Sequence, residues 1–72
     1  MNTIANVDLK AGDIIIDDIA CRVDSIVFCD SDGVCMMVED GNGYWYTLTR
    51  EFEGFSRTLG WTEEQWTAYR AL

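Results

Sequence analysis

Residues 20–49, ACRVDSIVFCDSDGVCMMVEDGNGYWYTLT, decide the fold. From Ala20 to Cys29 the chain alternates. Cys21, Val23, Ser25, Val27 and Cys29 share one face, and Arg22, Asp24, Ile26 and Phe28 share the other, which is the two-residue period of a strand. Apolar residues on both faces after Ser25 predict a bulge or two-sided burial. Asp30-Ser31-Asp32-Gly33 reads as a turn, because short polar side chains bond their own backbone there. Val34 to Glu39 is the next strand, with Val34, Met36 and Val38 on one face. Asp40-Gly41-Asn42-Gly43 is a hairpin turn, since Gly and Asn accept positive φ at little cost. Tyr44 to Thr49 returns as a strand, with Tyr44, Tyr46 and Leu48 opposite Trp45, Thr47 and Thr49.

Upstream, Asp13 to Ile19 is rich in Ile, and Asp17-Asp18 predicts a bend. The result is an antiparallel meander of four to five strands over a strand-rich part, residues 9–50. Downstream the period changes. Thr62-Glu63-Glu64-Gln65 is a capping box, in which the Thr62 hydroxyl accepts from the backbone of Gln65 and the Gln65 amide reaches back. Trp61 and Trp66 then occupy the two positions of a hydrophobic staple. Glu63 and Glu64 in the first turn and Arg70 in the last suit the helix dipole. A helix from Glu63 to Ala71 is expected, within a helical tail at 61–72. Between them, Phe52, Phe55 and Leu59 have helical spacing and Gly60 is placed as a C-cap, which predicts a short helical turn near Phe55. A continued strand through Glu51-Phe52-Glu53 is the competing reading. The expected class is α+β, as a single domain over residues 1–72.

Charge narrows the function. The chain has 13 acidic residues, 5 basic residues and no histidine, a formal net charge of −8. Residues 8–40 carry nine of the acids, Asp8, Asp13, Asp17, Asp18, Asp24, Asp30, Asp32, Glu39 and Asp40, against Lys10 and Arg22. Eight aromatics follow in 44–72: Tyr44, Trp45, Tyr46, Phe52, Phe55, Trp61, Trp66 and Tyr69. Direct binding to nucleic acid or to an anionic membrane is disfavoured, because both demand basic surface. The absence of histidine excludes imidazole bases, His-dependent triads and His-ligated metals. No nucleophile motif, phosphate loop or dinucleotide fingerprint is present, and Gly41-Asn42-Gly43 belongs to a hairpin. An enzyme is not expected, and no cofactor is implied.

Metal readings are also weak. Cys21, Cys29 and Cys35 form neither a disulfide framework nor a zinc set, and they are expected as small buried hydrophobes in a reducing compartment. Placing Gly33 at the sixth position of a calcium loop brings Asp30, Asp32 and Glu39 to ligand positions. Phe28 then falls at the first, where it has nothing to ligate with, and the flanks read as strands. Met1 to Asp8 has no basic or apolar signal character, and no apolar run is long enough to span a bilayer. The expected location is the cytoplasm.

Two surfaces stand out as candidates for binding a protein. Asp13, Asp17, Asp18, Asp30, Asp32, Glu39 and Asp40 fall at strand ends and turns, where they either serve only to keep a small protein soluble and monomeric or together give one edge a negative potential that steers towards a basic partner. Trp45, opposite Tyr44, Tyr46 and Leu48, has two readings: part of a second core layer, which the pattern favours, or an exposed aromatic hot spot. Self-association as a homodimer and a monomeric state are both compatible with the two tryptophans of the tail.

Leu9-Lys10-Ala11-Gly12-Asp13 running into Ile14-Ile15-Ile16 resembles the Leu-x-x-Gly-Asp opening of an SH3-like small barrel, and the Asp40–Gly43 hairpin is similar to the meander of such barrels. The likeness covers residues 9–49, with the tail as an addition. In size and charge the chain also resembles the small acidic inhibitors of phages and mobile elements, of the anti-CRISPR and anti-restriction type. That resemblance implies a stoichiometric inhibitor in the host cytoplasm that occupies the basic nucleic-acid groove of a defence enzyme. The alternative it leaves is a phage adaptor or structural module that binds through an aromatic patch.

Overall fold

A computed structural model of the chain describes residues 2–72. It holds six strands, β1 (Asn2–Ala5), β2 (Ile14–Asp17), β3 (Ile19–Asp30), β4 (Gly33–Asp40), β5 (Trp45–Arg50) and β6 (Phe55–Thr58), and one helix, α1 (Glu63–Arg70). A 3-10 turn at Asn6–Asp8 follows β1. The strands form one antiparallel sheet in the order β1-β6-β2-β3-β4-β5. This confirms the α+β class and the antiparallel sheet with a C-terminal helix. It corrects two details. There are six strands rather than four to five, and the sheet is open, with β1 and β5 at its edges, rather than a closed barrel.

The central meander follows the sequence pattern. β2 turns into β3 at Asp18, whose φ of 63° is left-handed, a conformation that a short polar side chain tolerates. β3 carries register shifts between Val23 and Ser25 and between Ile26 and Phe28, the bulging that apolar residues on both faces after Ser25 predict. The β3–β4 turn is closed at Gly33, where φ is 141°. A Cβ there would lie 2.9 Å from the Arg50 carbonyl oxygen, so the position needs glycine for both conformation and space. At the other end of β4, a Cβ on Gly41 would lie 2.7 Å from the Tyr69 ring. The β4–β5 hairpin and α1 are therefore in close contact.

Alternation sorts the core onto two faces. Leu9, Ile15, Cys21, Val23, Val34, Met36 and Val38 form one buried cluster, backed by Ile4, Tyr46 and Leu48. Ile14, Ala20 and Trp66 form a second on the opposite face, where Ile16, Leu59, Trp61 and Tyr69 pack against them. α1 is seated there. Its capping box is complete: Thr62 Oγ1 accepts from Gln65 N at 3.2 Å, and Gln65 Oε1 accepts from Thr62 N at 2.8 Å. The staple residues Trp61 and Trp66 join one cluster, both packing on Tyr69 with ring centroids 5.2 and 5.6 Å away.

The expected helical turn near Phe55 is a strand instead. β6 pairs with β1 from Asn2↔Thr58 to Ala5↔Phe55, and Ile15↔Thr58 joins it to β2. The sheet thus extends past residues 9–50 in both directions. Gly60 does adopt a positive φ of 68°, but it lies between β6 and α1 rather than ending a helix. No helix among the described residues is long and apolar enough to cross a membrane.

Candidate functional site

The seven predicted carboxylates do not share one edge. Asp32, just before β4, and Asp40, its last residue, lie about 26 Å apart at a strand rise of roughly 3.3 Å per residue. Asp17 and Asp18 sit at the β2–β3 bend, towards the Asp40 end, since Cys21 is the register partner of Asp40. Asp30 and Asp32 flank the β3–β4 turn at the far end.

Four of the seven are held by the fold itself. Asp13 accepts from the Lys10 amide at 2.9 Å and pairs with Lys10 Nζ at 3.2 Å. Asp17 takes Arg50 Nη2 at 3.2 Å, and the same nitrogen donates to the Ile16 carbonyl. Glu39 is buried between Arg22 Nη2 at 3.4 Å and Arg70 Nη2 at 3.1 Å. Asp40, also buried, accepts from the amides of Asn42 and Tyr44 and so shapes its hairpin. Asp18, Asp30 and Asp32 are exposed.

The exposed acids that do converge include two that the sequence reading passed over. Ser31, Asp32, Glu51, Phe52 and Glu53 line one shallow depression beside the β3–β4 turn. Phe52 and Glu53 also form a wall of a second, apolar groove completed by Val7, Cys29, Gly54 and Phe55. The signal in the sequence is the alternation Glu51-Phe52-Glu53-Gly54-Phe55, acid and aromatic in turn around a glycine.

Asn6 fixes this geometry. It is buried, donates Nδ2 to the Glu51 carbonyl at 2.8 Å and takes the Gly54 carbonyl on its own amide at 2.9 Å. Ser56 Oγ donates to its Oδ1. With Gly54 N bonded to the Glu51 carbonyl at 3.2 Å, the 51–54 turn is closed and pinned, leaving Phe52 and Glu53 exposed.

Beyond Arg22, the last residue paired with β2, β3 continues to Asp30 with β4 on one side only among the described strands. Asp24, Ile26, Val27, Phe28 and Cys29 are exposed along this stretch. Cys29 thereby departs from the buried role expected for it, whereas Cys21 and Cys35 are buried. The stretch from Phe28 to Glu39 is a hairpin between strands, not the helix-flanked frame of a calcium loop.

Charge pairing sharpens the asymmetry. Lys10, Arg22, Arg50 and Arg70 are engaged with Asp13, Glu39, Glu63 and Asp17. Asp30, Asp32, Glu51 and Glu53 remain exposed around the β3–β4 turn, while Asp24 is exposed further along β3. No protein-family model, no curated protein and no solved structure matches this chain.

Trp45 is exposed rather than part of a second core layer. It is 52% exposed, and Thr47 and Thr49 on the same side are exposed while Tyr46 and Leu48 are partly buried. On the inner side, Tyr46 hydrogen-bonds Cys21. Burial first, and then the Cys21 thiol, pushes the Tyr46 phenol up from its ordinary 10.0 to about 12, and burial pushes Cys21 above its ordinary 9.0. Both groups are raised in the folded state. The stability they provide is fully present below their unfolded values and is lost as pH climbs through the folded ones. Urea midpoints are expected to fall between about pH 9 and pH 12, and Tyr46→Phe should lose less stability over that interval than the parent. An equal fall in the variant would show that Tyr46 is not the titrating group.

Proposed function

We propose that this chain is a protein ligand for a basic surface, a stoichiometric inhibitor that occupies the nucleic-acid-binding site of a nucleic-acid enzyme. One observation carries the reading. Exposed carboxylates from the end of β3, the β3–β4 turn and the 51–54 turn gather at one tip, while Lys10, Arg22, Arg50 and Arg70 are held in ion pairs with other acids. A negative tip on a chain of net charge −8 accelerates encounter with a positive groove and sets its orientation. Carboxylates at the tip stand where phosphate oxygens would otherwise bind. The anti-CRISPR and anti-restriction inhibitors that the chain resembles in size and charge supply the precedent for such a role.

The test begins with a tagged pull-down washed at low and high salt, followed by affinity measurements on the captured nucleic-acid-binding protein. Asp30→Lys/Asp32→Lys is expected to weaken binding about tenfold or more at low salt, in the range of close charge pairs at interfaces. The variant should also fail to displace bound DNA or RNA. Binding that ignores both salt and the reversals would overturn the reading. The half-exposed Trp45 and its threonine neighbours favour one alternative, a structural or adaptor module bound through that face. Its mark is salt-insensitive association that is lost in Trp45→Ala.

A further inference from the structure

We infer that the groove between Cys29, Phe52 and Phe55 receives an apolar anchor from the protein partner, and that this anchor is neighboured in its own sequence by lysine or arginine. The inference rests on the charge reading above and names what the partner segment must contain.

The groove is apolar apart from Glu53, and its aromatics are turned to solvent, Phe55 at 70% and Phe52 at 39% exposure. Phe52 has no easy way inward, because Asn6 pins the turn that carries it at Glu51 and Gly54. A pinned, exposed aromatic pair is the preorganised kind of surface that anchors interfaces. The choice of occupant follows from the rim. Phe52 and Glu53 separate this groove from the depression holding Asp32 and Glu51. An apolar side chain in the first and a cation in the second are thus spanned by adjacent residues of one segment. A second copy of this chain would instead bring Asp30, Asp32, Glu51 and Glu53 against their own kind, and an anionic lipid surface meets the same repulsion.

Cys29 supplies the readout, since it is an exposed thiol on the groove wall. The probe is a capped hexapeptide with Leu-Phe between two pairs of basic residues. Its controls replace Leu-Phe by Ser-Ser, or the basic residues by Glu. At low salt the Leu-Phe peptide is expected to slow maleimide labelling of Cys29 about tenfold, the scale of burying one aromatic side chain, and to shift the amide resonances of Phe52, Gly54 and Phe55. The Ser-Ser peptide should shift only Asp30, Asp32 and Glu51, without protecting the thiol. Phe55→Ser should abolish protection while keeping the charge response. Equal responses to the two basic peptides, with Cys29 unprotected, would overturn the groove and leave the charge reading standing. No response to either basic peptide, or an equal response to the acidic one, would overturn both.

Discussion

Trp66→Ala is expected to remove about half of the stability of the fold. Trp66 is 1% exposed and joins Ile14 and Ala20 in the cluster that seats α1 on the sheet. Truncating a buried aromatic to alanine costs about 3–5 kcal/mol. A chain of 72 residues, at roughly 0.05–0.15 kcal/mol per residue, has about 4–11 kcal/mol in total. The helix offers no reserve, because an eight-residue helix is marginal by itself even with its capping box intact. Loss of the indole also leaves Ile16, Leu59, Trp61 and Tyr69 without the side chain they pack around. Far-UV circular dichroism and a urea titration would show reduced helix and a midpoint shifted strongly downward. Trp66→Phe is the informative partner variant. The Trp66 Nε1 is buried with no hydrogen-bond partner among the described residues, so phenylalanine removes an unmet donor while keeping most of the apolar area. It is expected to stay within about 1 kcal/mol of the parent, where a lost area term and a relieved polar term oppose each other. An unchanged midpoint in Trp66→Ala would show that α1 is not held by this contact.

Local chemistry made the middle of the molecule readable. The β3–β4–β5 meander and the α1 capping box depend on alternation, turn residues and a four-residue motif, all contained within short windows. β1 and β6 depend on each other across most of the chain, Asn2 with Thr58 and Ala5 with Phe55. Neither four-residue segment carries enough alternation to declare itself. The helical spacing of Phe52, Phe55 and Leu59 misled because the three belong to different surroundings. Phe52 lies in a pinned turn, Phe55 is exposed on a strand, and Leu59 packs against the α1 cluster. The acidic candidates show the same limit. Their positions at strand ends were legible, but which carboxylates the fold consumes depends on partners such as Arg70 and Arg50, placed by tertiary contacts. Glu51 and Glu53 were missed because a segment read as helix or strand does not present itself as a rim.

Glu39→Ala is expected to destabilise the fold by about 3 kcal/mol, the lower part of the range for breaking a buried ion pair by removing one partner. Its carboxylate spans the two layers, with Oε1 on Arg22 of β3 and Oε2 on Arg70 of α1. Only 5% of the side chain is exposed, against 24% for Arg22 and 40% for Arg70. Without it, Arg70 can turn to water, but Arg22 stays half enclosed, with Glu63 at 3.3 Å as its remaining acid and a buried Nε that has no partner among the described residues. The outer pair gives the contrast. Glu63 is 66% exposed, so Glu63→Ala is expected to cost under about 0.5 kcal/mol, as solvated pairs do. A double-mutant cycle of Glu39→Ala with Arg70→Met should return a clear coupling energy, and one of Glu63→Ala with Arg22→Met much less. Urea midpoints that are equal for Glu39→Ala and Glu63→Ala would refute the buried-tie account. The consequence reaches the binding question, because Glu39 belongs to the acidic set that the sequence nominates for a partner. Its substitution is expected to act on stability, with any loss of binding following the folded fraction. Asp32→Lys, on an exposed turn, should weaken binding with the midpoint nearly unchanged. Comparing affinity with stability across these two positions separates carboxylates that meet a partner from carboxylates that hold the helix to the sheet.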